Sequence, residues 1–235
     1  MSRRLTILLQ LIVVGGITLA GLVLSSCTTS LTPPADPVDP VAVYIVDYGR
    51  HTSLLLPAEE GDRLVEYAYG EWQWFALDRA RWHDVFRTLL WPTRGALGRW
   101  EWDLPPDVET IRTAILCEDV LEIIVASQRE RALLMRLEAR HAQHADTLHY
   151  QPRYRLEFVH DDDEYHLFHN CNHALAEWLR ELDCEVHGWA IFADFIVQER
   201  EEERARRHAG TEARSDRRVG GYPRVWNRSR STTRR

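Results

Sequence analysis

Lysine is absent from this 235-residue sequence, so its 29 basic residues are all arginines. Without lysine the chain has no residue for a lysine Schiff base or a phosphate-loop lysine, and it has no glycine-rich phosphate loop either. An excess of positive charge is also missing, because 36 acidic residues give a formal net charge of -7. Nucleic acid is therefore not an expected partner.

A long apolar run stands near the N-terminus. Two arginines precede residues 5–24, which are apolar apart from a few Thr, Gln and Gly residues, and the run ends in Ser25-Ser26-Cys27. This pattern resembles the lipobox of bacterial lipoprotein signals, in which a small residue precedes the cysteine that becomes the acylated N-terminus. The sequence thus predicts a signal peptide at residues 1–26 and lipidation at Cys27. The alternative is an uncleaved membrane helix, since the run is long enough to span a bilayer.

A lipid anchor at Cys27 defines the expected location of the protein. The chain would be held at a membrane of the bacterial cell envelope through its lipid and would face the periplasm. Thr28, rather than aspartate, follows the cysteine, which favours transfer to the outer membrane.

Composition divides the rest of the chain into three parts. Residues 27–40 are rich in Pro, Ser, Thr and Asp, which predicts a stiff, solvated linker. Residues 41–197 are dense in aromatic and branched side chains and amount to one globular domain. Residues 198–235 are dominated by Arg and Glu and then by Arg, Ser, Thr and Gly, which predicts a solvated, mostly disordered tail.

Apolar periodicity indicates an α+β domain. Short apolar runs predict strands at residues 41–46, 51–56, 64–69, 154–159 and 164–168, the last two separated by an acidic turn. Helices are predicted at residues 78–90, from Ser127 to about His144, and after an N-cap at Asn170. Residues 111–125 fit either a strand or a helix. Strands with a few helices on an open sheet belong to the α+β class.

Cysteine is scarce: beyond Cys27 only Cys117, Cys171 and Cys184 remain. In a compartment that permits disulfides, this odd number leaves at least one thiol unpaired or joins two chains. Cys117 lies in an apolar run and fits a buried small hydrophobe. Cys171 follows the Asn170 N-cap, where the unpaired N–H groups and the helix dipole should lower the pKa of its thiol.

A nucleophilic cysteine needs a base and a group that orients the base. His51 is the candidate base, because it stands at the start of a predicted strand after a glycine turn. Glu66, on the next strand, is the candidate to orient its imidazole, with Glu71 as the second choice. The N–H groups near Cys171 could also receive an oxyanion. The predicted catalytic set is therefore Cys171, His51 and Glu66.

These motifs resemble an uncharacterised family of bacterial lipoproteins over residues 41–186. The family has a His-Thr-Gly strand start, a Glu-Phe-Gly-Trp-Gly-Asp segment and an Asn-Cys-Asn-Thr-Trp helix start. The matching segments here are His51-Thr52-Ser53, Glu66-Tyr67-Ala68-Tyr69-Gly70-Glu71, Trp91-Pro92-Thr93 and Asn170-Cys171-Asn172. This chain departs from the pattern at four positions: Ser53 and Ala68 replace glycine, Glu71 replaces aspartate, and His173 replaces threonine.

A wider resemblance rests on the order of the two catalytic candidates. A histidine on an early strand and a later cysteine at a helix start are similar to circularly permuted papain-like proteins, such as the NlpC and lecithin retinol acyltransferase groups. The Asn-Cys-Glu-His helix start of the latter resembles Asn170-Cys171-Asn172-His173. This resemblance implies a permuted papain-like fold, with a small antiparallel sheet and packed helices. It also implies a cysteine nucleophile that acts on amides, esters or peptides.

Two other interpretations compete for the same residues. Cys171 could be a buried cysteine in a disulfide with Cys184, with His51 an ordinary strand histidine. The segment from His160 to His173 also gathers histidines, aspartates and Cys171, which suit zinc or nickel. On a strand, however, His166 and His169 would point to opposite faces, so neither a metal nor another cofactor is predicted.

The sequence therefore predicts a membrane-tethered thiol hydrolase or acyltransferase of the cell envelope. Its substrate would be a cell-wall peptide or a lipid acyl group. The alternative is a non-catalytic envelope lipoprotein module that binds a wall fragment, a metal or a partner protein.

Overall fold

The computed structural model describes residues 29–49, 51–58, 62–79, 91–188 and 195–198. The strands in these residues are β1 (Thr29–Thr32), β2 (Pro40–Asp47), β3 (Thr52–Pro57), β4 (Leu64–Glu71), β5 (Thr93–Trp102), β6 (Asp119–Ala126), β7 (His149–Gln151), β8 (Leu156–Tyr165), β9 (Glu185–His187) and β10 (Phe195–Val197). The α-helices are α1 (Val108–Ala114), α2 (Ser127–Gln143) and α3 (Cys171–Glu181). A π-helical turn at Trp72–Ala76 follows β4 directly.

The strands form two sheets. The main sheet has seven strands in the order β6-β2-β3-β4-β5-β8-β7, and every neighbouring pair is antiparallel. Its register sets Asp47 opposite Thr52 and Leu55 opposite Glu66. The small sheet has the order β10-β1-β9. Helices packed on a large antiparallel sheet make this an α+β fold, as the sequence predicts.

Successive side chains of a strand point to opposite faces of the sheet. On one face, here called the α3 face, Ile45, Leu54 and Leu56 pack in one buried cluster with apolar residues of α2 and α3. On the other, here called the Glu66 face, Leu55 and Trp102 pack with residues of α1. Both faces of the central strands are therefore covered.

Most of the predicted elements are confirmed. The first three predicted strands correspond to β2, β3 and β4. Helix α2 begins at Ser127, and Asn170 is the N-cap of α3. Residues 111–125, which fit either a strand or a helix in the sequence, contain part of each, since α1 ends at Ala114 and β6 begins at Asp119.

Two predictions need correction. The acidic turn expected at residues 160–163 is wrong, because β8 continues through it. The Arg140 guanidinium on α2 donates to the buried Asp161 carboxylate at 2.8 Å and also binds Asp163, so the aspartates are neutralised within a strand. The linker expected at residues 27–40 contains β1, whose Leu31 is fully buried and which pairs with β9 and β10.

Several predictions fall outside the described residues. These are the signal peptide at residues 1–26, the lipidation site Cys27, most of the helix at 78–90 and the tail beyond residue 198. Within the described part of the chain, every helix is too short or too polar to cross a bilayer.

Candidate active site

Cys171 occupies the first position of α3, as the sequence predicts. The Asn170 side-chain oxygen accepts hydrogen bonds from the Asn172 N–H at 3.0 Å and the His173 N–H at 3.2 Å. These bonds satisfy donors that a helix start otherwise leaves unpaired. Only 6% of the Cys171 surface is exposed. The sulfur is therefore held at a capped helix terminus and shielded from solvent.

The sulfur of Cys171 lies among hydrogen-bond donors on the α3 face. The backbone N–H groups of Cys171, Asn172 and Thr52 and the Tyr165 hydroxyl lie near Sγ, where they act to lower the pKa of the thiol. The thiol itself approaches the Asn172 Oδ1 atom at 3.7 Å, and the Thr52 hydroxyl donates to the same oxygen at 3.0 Å. Strand β3 and helix α3 thus meet at the thiol, although residues 52 and 171 are far apart in the sequence.

The pKa of Cys171 differs from the expectation. Burial raises it to about 11, against a usual value of 9.0, while the surrounding hydrogen bonds lower it by a smaller amount. The helix start alone would favour the thiolate. Here the loss of solvent outweighs the donors, so the resting group is a neutral thiol.

His51 immediately precedes β3, and its ring turns to the Glu66 face. The imidazole centroid lies 4.8 Å from that of Phe75 and 6.3 Å from that of Tyr48. The side chain is buried, and neither ring nitrogen has a hydrogen-bond partner among the described residues. Burial lowers the pKa of His51 to about 4. The backbone next to His51 thus reaches Cys171 through the Thr52 N–H, while the ring makes no hydrogen bond to the thiol.

Phe75 reaches the imidazole because Gly70 leaves room for it. A Cβ atom at Gly70 would lie 2.4 Å from the Phe75 ring, well inside van der Waals contact. The glycine therefore allows the π-helical turn to fold back over the end of β4.

Glu66 is buried on the same face, but it does not orient His51. Its carboxylate accepts hydrogen bonds from the Tyr48 hydroxyl at 2.7 Å, the Ser53 hydroxyl at 2.6 Å and the Trp102 indole N–H at 2.7 Å. Burial raises the pKa of Glu66, and the three donors oppose that rise. Tyr48 keeps its proton, because burial and the nearby Glu66 raise the pKa of its hydroxyl.

Glu71, the second candidate, also makes no hydrogen bond to the imidazole. It caps the π-helical turn, where its carboxylate accepts the Trp74 N–H at 2.6 Å. Glu71 is an odd number of residues from Glu66 on β4, so its side chain leaves the opposite face of the strand.

A cavity of about 290 Å³ opens on the Glu66 face. His51 and Glu66 contribute polar groups to its lining, and Trp102, Ile115 and Leu156 contribute apolar surface. Nothing in the sequence distinguishes Trp102 from the other aromatic residues as part of a site. The register of β4 with β5 is what brings Trp102 to Glu66, and only the folded sheet reveals it.

The three described cysteines are free thiols, so Cys171 and Cys184 do not form the alternative disulfide. Cys184 is buried, which raises the pKa of its thiol to about 12. Cys117 is only half-buried, more exposed than the sequence suggests.

The geometry of the histidine-rich segment does not suit a metal ion. His169 lies 3.9 Å from both the Asp163 and the Glu177 carboxylates, and these are distances of weak ion pairs. Among the described residues, no group of three or more His, Cys, Asp or Glu side chains is arranged to hold a metal ion.

No protein-family model, curated protein or solved structure matches this chain. The resemblance to the lipoprotein family and to permuted papain-like proteins therefore stays a prediction from the motifs.

Proposed function

We propose that the protein is a membrane-tethered thiol hydrolase or acyltransferase of the bacterial cell envelope, with Cys171 as its nucleophile. The observation that carries this proposal is the position of the Cys171 sulfur, which lies at the capped N-terminus of α3 with the backbone N–H groups of Cys171 and Thr52 near it. Backbone N–H groups at a helix N-terminus favour negative charge, on a thiolate and on an oxyanion that forms next to it.

The position of His51 in the chain supports its assignment as the base. Burial lowers the pKa of its ring to about 4, so the ring is neutral near pH 7, but it is a weak base as long as it stays buried. The Thr52 N–H that reaches the sulfur belongs to the next residue in the chain. The ring lies on the opposite face of the sheet from Cys171, so catalysis requires the side chain to leave Phe75 and turn around the end of β3. Among the described residues no hydrogen bond opposes this movement.

The proposed reaction proceeds in two steps. The Cys171 thiol gives its proton to His51, and the sulfur bonds to the substrate carbonyl carbon. The backbone N–H groups near the sulfur hold the oxyanion that forms. The intermediate collapses to a thioester as the leaving amine or alcohol takes the proton from His51. Water, or an acceptor alcohol or amine, then attacks the thioester with His51 as base, and the thiol is regenerated.

Location and substrate follow from the motifs. Acylation at Cys27 would tether the domain to the envelope, with an outer-membrane position favoured, and a permuted papain-like arrangement accounts for the order of His51 and Cys171. The substrate would be an amide, peptide or ester from the cell wall or from lipid.

A second candidate is a non-catalytic envelope lipoprotein module. The raised pKa of Cys171 and the absence of an imidazole contact favour it, because a buried neutral thiol without a base is inert. In that case α3 and its capped start serve only the fold, and binding takes place elsewhere on the domain.

Thiol alkylation separates the two candidates. The full chain is treated with iodoacetamide from pH 6 to 9, and each cysteine is followed by peptide mass spectrometry. A nucleophilic Cys171 should react at least about tenfold faster than Cys184, which is equally buried, and His51→Gln should remove most of this advantage.

The matched control is His141→Gln, which removes another buried imidazole, one that binds the Glu157 carbonyl oxygen at 3.0 Å. It should leave the Cys171 rate unchanged. A Cys171 rate that matches Cys184 and ignores His51 would contradict the catalytic proposal and favour the binding module.

A further inference from the structure

The cavity on the Glu66 face has the size of a small-ligand site. Its volume of about 290 Å³ lies at the lower end for such sites, so it fits a molecule with few heavy atoms. Trp102, Ile115 and Leu156 provide buried apolar surface, whereas Leu116 at the edge is 97% exposed. An occupant should therefore have an apolar body that covers this surface.

The deep part of the cavity contains an unsatisfied polar group. His51 is 6% exposed, lines the cavity, and has two ring nitrogens without partners. Buried polar atoms are rarely left in this state, because they have lost water without gaining a hydrogen bond. A neutral imidazole has one donor and one acceptor. A ligand amide, which also has both, would satisfy one of the two ring nitrogens.

The charges near the cavity determine where a charged ligand group can lie. The Glu66 carboxylate already accepts three hydrogen bonds and would repel a second anion at depth. Arg155 is an exposed lining residue whose guanidinium lies 5.0 Å from the Trp102 ring centroid. Its neighbour Arg153 binds Asp78 at 3.0 Å, whereas Arg155 has no carboxylate partner among the described residues.

The backbone of Arg155 adopts a conformation that is unusual for a residue with a Cβ. Its φ of 57° lies in the left-handed region, which costs such a residue about 1 kcal/mol. Arg155 ends the turn that joins β7 to β8, and hairpin turns often contain a left-handed residue before the second strand. The turn thus places Arg155 at the edge of the cavity, where its guanidinium lies near Trp102.

We infer that this cavity binds an N-acylated amino acid. Its acyl chain or side chain would cover the apolar wall, its amide would bind the His51 ring, and its carboxylate would bind Arg155. The inference goes beyond the thiol chemistry proposed for Cys171 and does not require it. The acyl group can come from a lipid or from a peptide, and the two sources share the amide and the carboxylate.

Calorimetric titration of the full chain in lipid nanodiscs tests the site with two ligands. N-octanoylglycine represents a lipid-derived acyl group, and N-acetylphenylalanine represents a peptide end. At least one should bind with a Kd of about 10 to 300 µM, as suits a ligand of this size. The stronger of the two identifies the source. Its methyl ester, which lacks the carboxylate charge, should bind at least about fivefold more weakly.

Variants connect the binding to the cavity. Arg155→Gln and Leu116→Glu change exposed side chains, so they should fold normally and weaken binding at least about fivefold. His51→Phe removes both ring nitrogens and should weaken it about tenfold. Arg129→Gln and Met135→Glu make the same kinds of change at exposed positions elsewhere and serve as controls.

Cys171→Ser should bind as the unmodified chain does, which keeps this test separate from the thiol proposal. Saturable binding that Arg155→Gln and Leu116→Glu weaken, and the controls do not, supports the site. Binding of neither ligand, or binding that these two variants affect no more than their controls, would overturn it.

Discussion

The two faces of the main sheet bury different kinds of groups. On the α3 face, the buried polar side chains Thr52 and Asn172 bind each other, and the surrounding side chains form one continuous apolar cluster. On the Glu66 face, an ionisable carboxyl group and an unpartnered imidazole are buried beside an open cavity. The α3 face is therefore filled by one apolar cluster around the thiol, whereas the Glu66 face leaves buried polar groups beside a cavity.

The largest expected difference between the faces is in side-chain packing. Leu179 is fully buried in the cluster of the α3 face, so Leu179→Ala should lower the free energy of unfolding by about 3 to 4 kcal/mol. Leu156 is also buried, but it borders the cavity, so one side of its side chain already lacks packing neighbours. Leu156→Ala should cost about 2 kcal/mol. Urea unfolding measures the loss of unfolding free energy in both variants. Equal losses would contradict the proposed difference in packing between the two faces.

The second difference is in acid sensitivity. The folded pKa of His51 is about 4, below its usual 6.5, so the unfolded chain binds more protons between these values. Unfolding free energy should therefore fall as the pH drops from about 6.5 to 4, by about 2 to 3 kcal/mol from this residue. His51→Gln should flatten the profile in that window. Denaturant unfolding at each pH tests this, with His141→Gln for comparison.

The α3 side of the molecule should respond to pH in the opposite direction through Glu130. This carboxyl group is buried in the first turn of α2, and one of its oxygens has no hydrogen-bond partner. Burial raises its pKa to about 7, from 4.5. Stability from this residue is full below about pH 4.5 and is lost as the pH rises through 7.

The loss should be about 1 to 2 kcal/mol, since solvent at the helix end screens part of the charge. Glu130→Gln should be more stable than the unmodified chain at pH 8 but not at pH 4. A gain of the same size at both pH values would show that ionisation of Glu130 is not the cause.

The smallest expected effect concerns the strained backbone at the cavity. Arg155→Gly relieves the positive φ and should raise the melting temperature slightly, by the equivalent of about 0.5 to 1 kcal/mol. The same change should weaken ligand binding, because it removes the guanidinium. Arg155→Gln is the control: it loses the charge but keeps the strain, so its melting temperature should not rise.

The sequence predicts the fold class because the signals for it are local. The apolar runs of β2, β3 and β4 are visible in the sequence, and so are the Asn170 cap and the apolar stripe of α3. The Arg140 partner of Asp161 is not visible, because the two residues meet only when α2 packs on the sheet. Strand β1 is not visible in the sequence either, since it pairs with β9 and β10, which lie far from it along the chain.

The candidate site is predicted in its elements but not in its contacts. The helix start at Cys171 and the strand that His51 precedes both follow from sequence. The direction of the imidazole does not follow from sequence, because a shift of one residue along a strand moves a side chain to the opposite face of the sheet. Glu66 lies on the same face as the imidazole but binds Tyr48, Ser53 and Trp102, and sequence does not show which of these donors the folded sheet brings to it. The pKa of Cys171 rises because burial, which sequence does not give, outweighs the helix start.

Trapping of an acyl-enzyme shows most directly whether Cys171 is a nucleophile with His51 as its base. The full chain is mixed with p-nitrophenyl octanoate, and release of p-nitrophenolate is followed together with the mass of each cysteine peptide. We expect a stoichiometric burst and a thioester on Cys171, retained in Cys184→Ala and abolished in both Cys171→Ala and His51→Gln. No adduct on Cys171, or one that forms equally fast without His51, would contradict it.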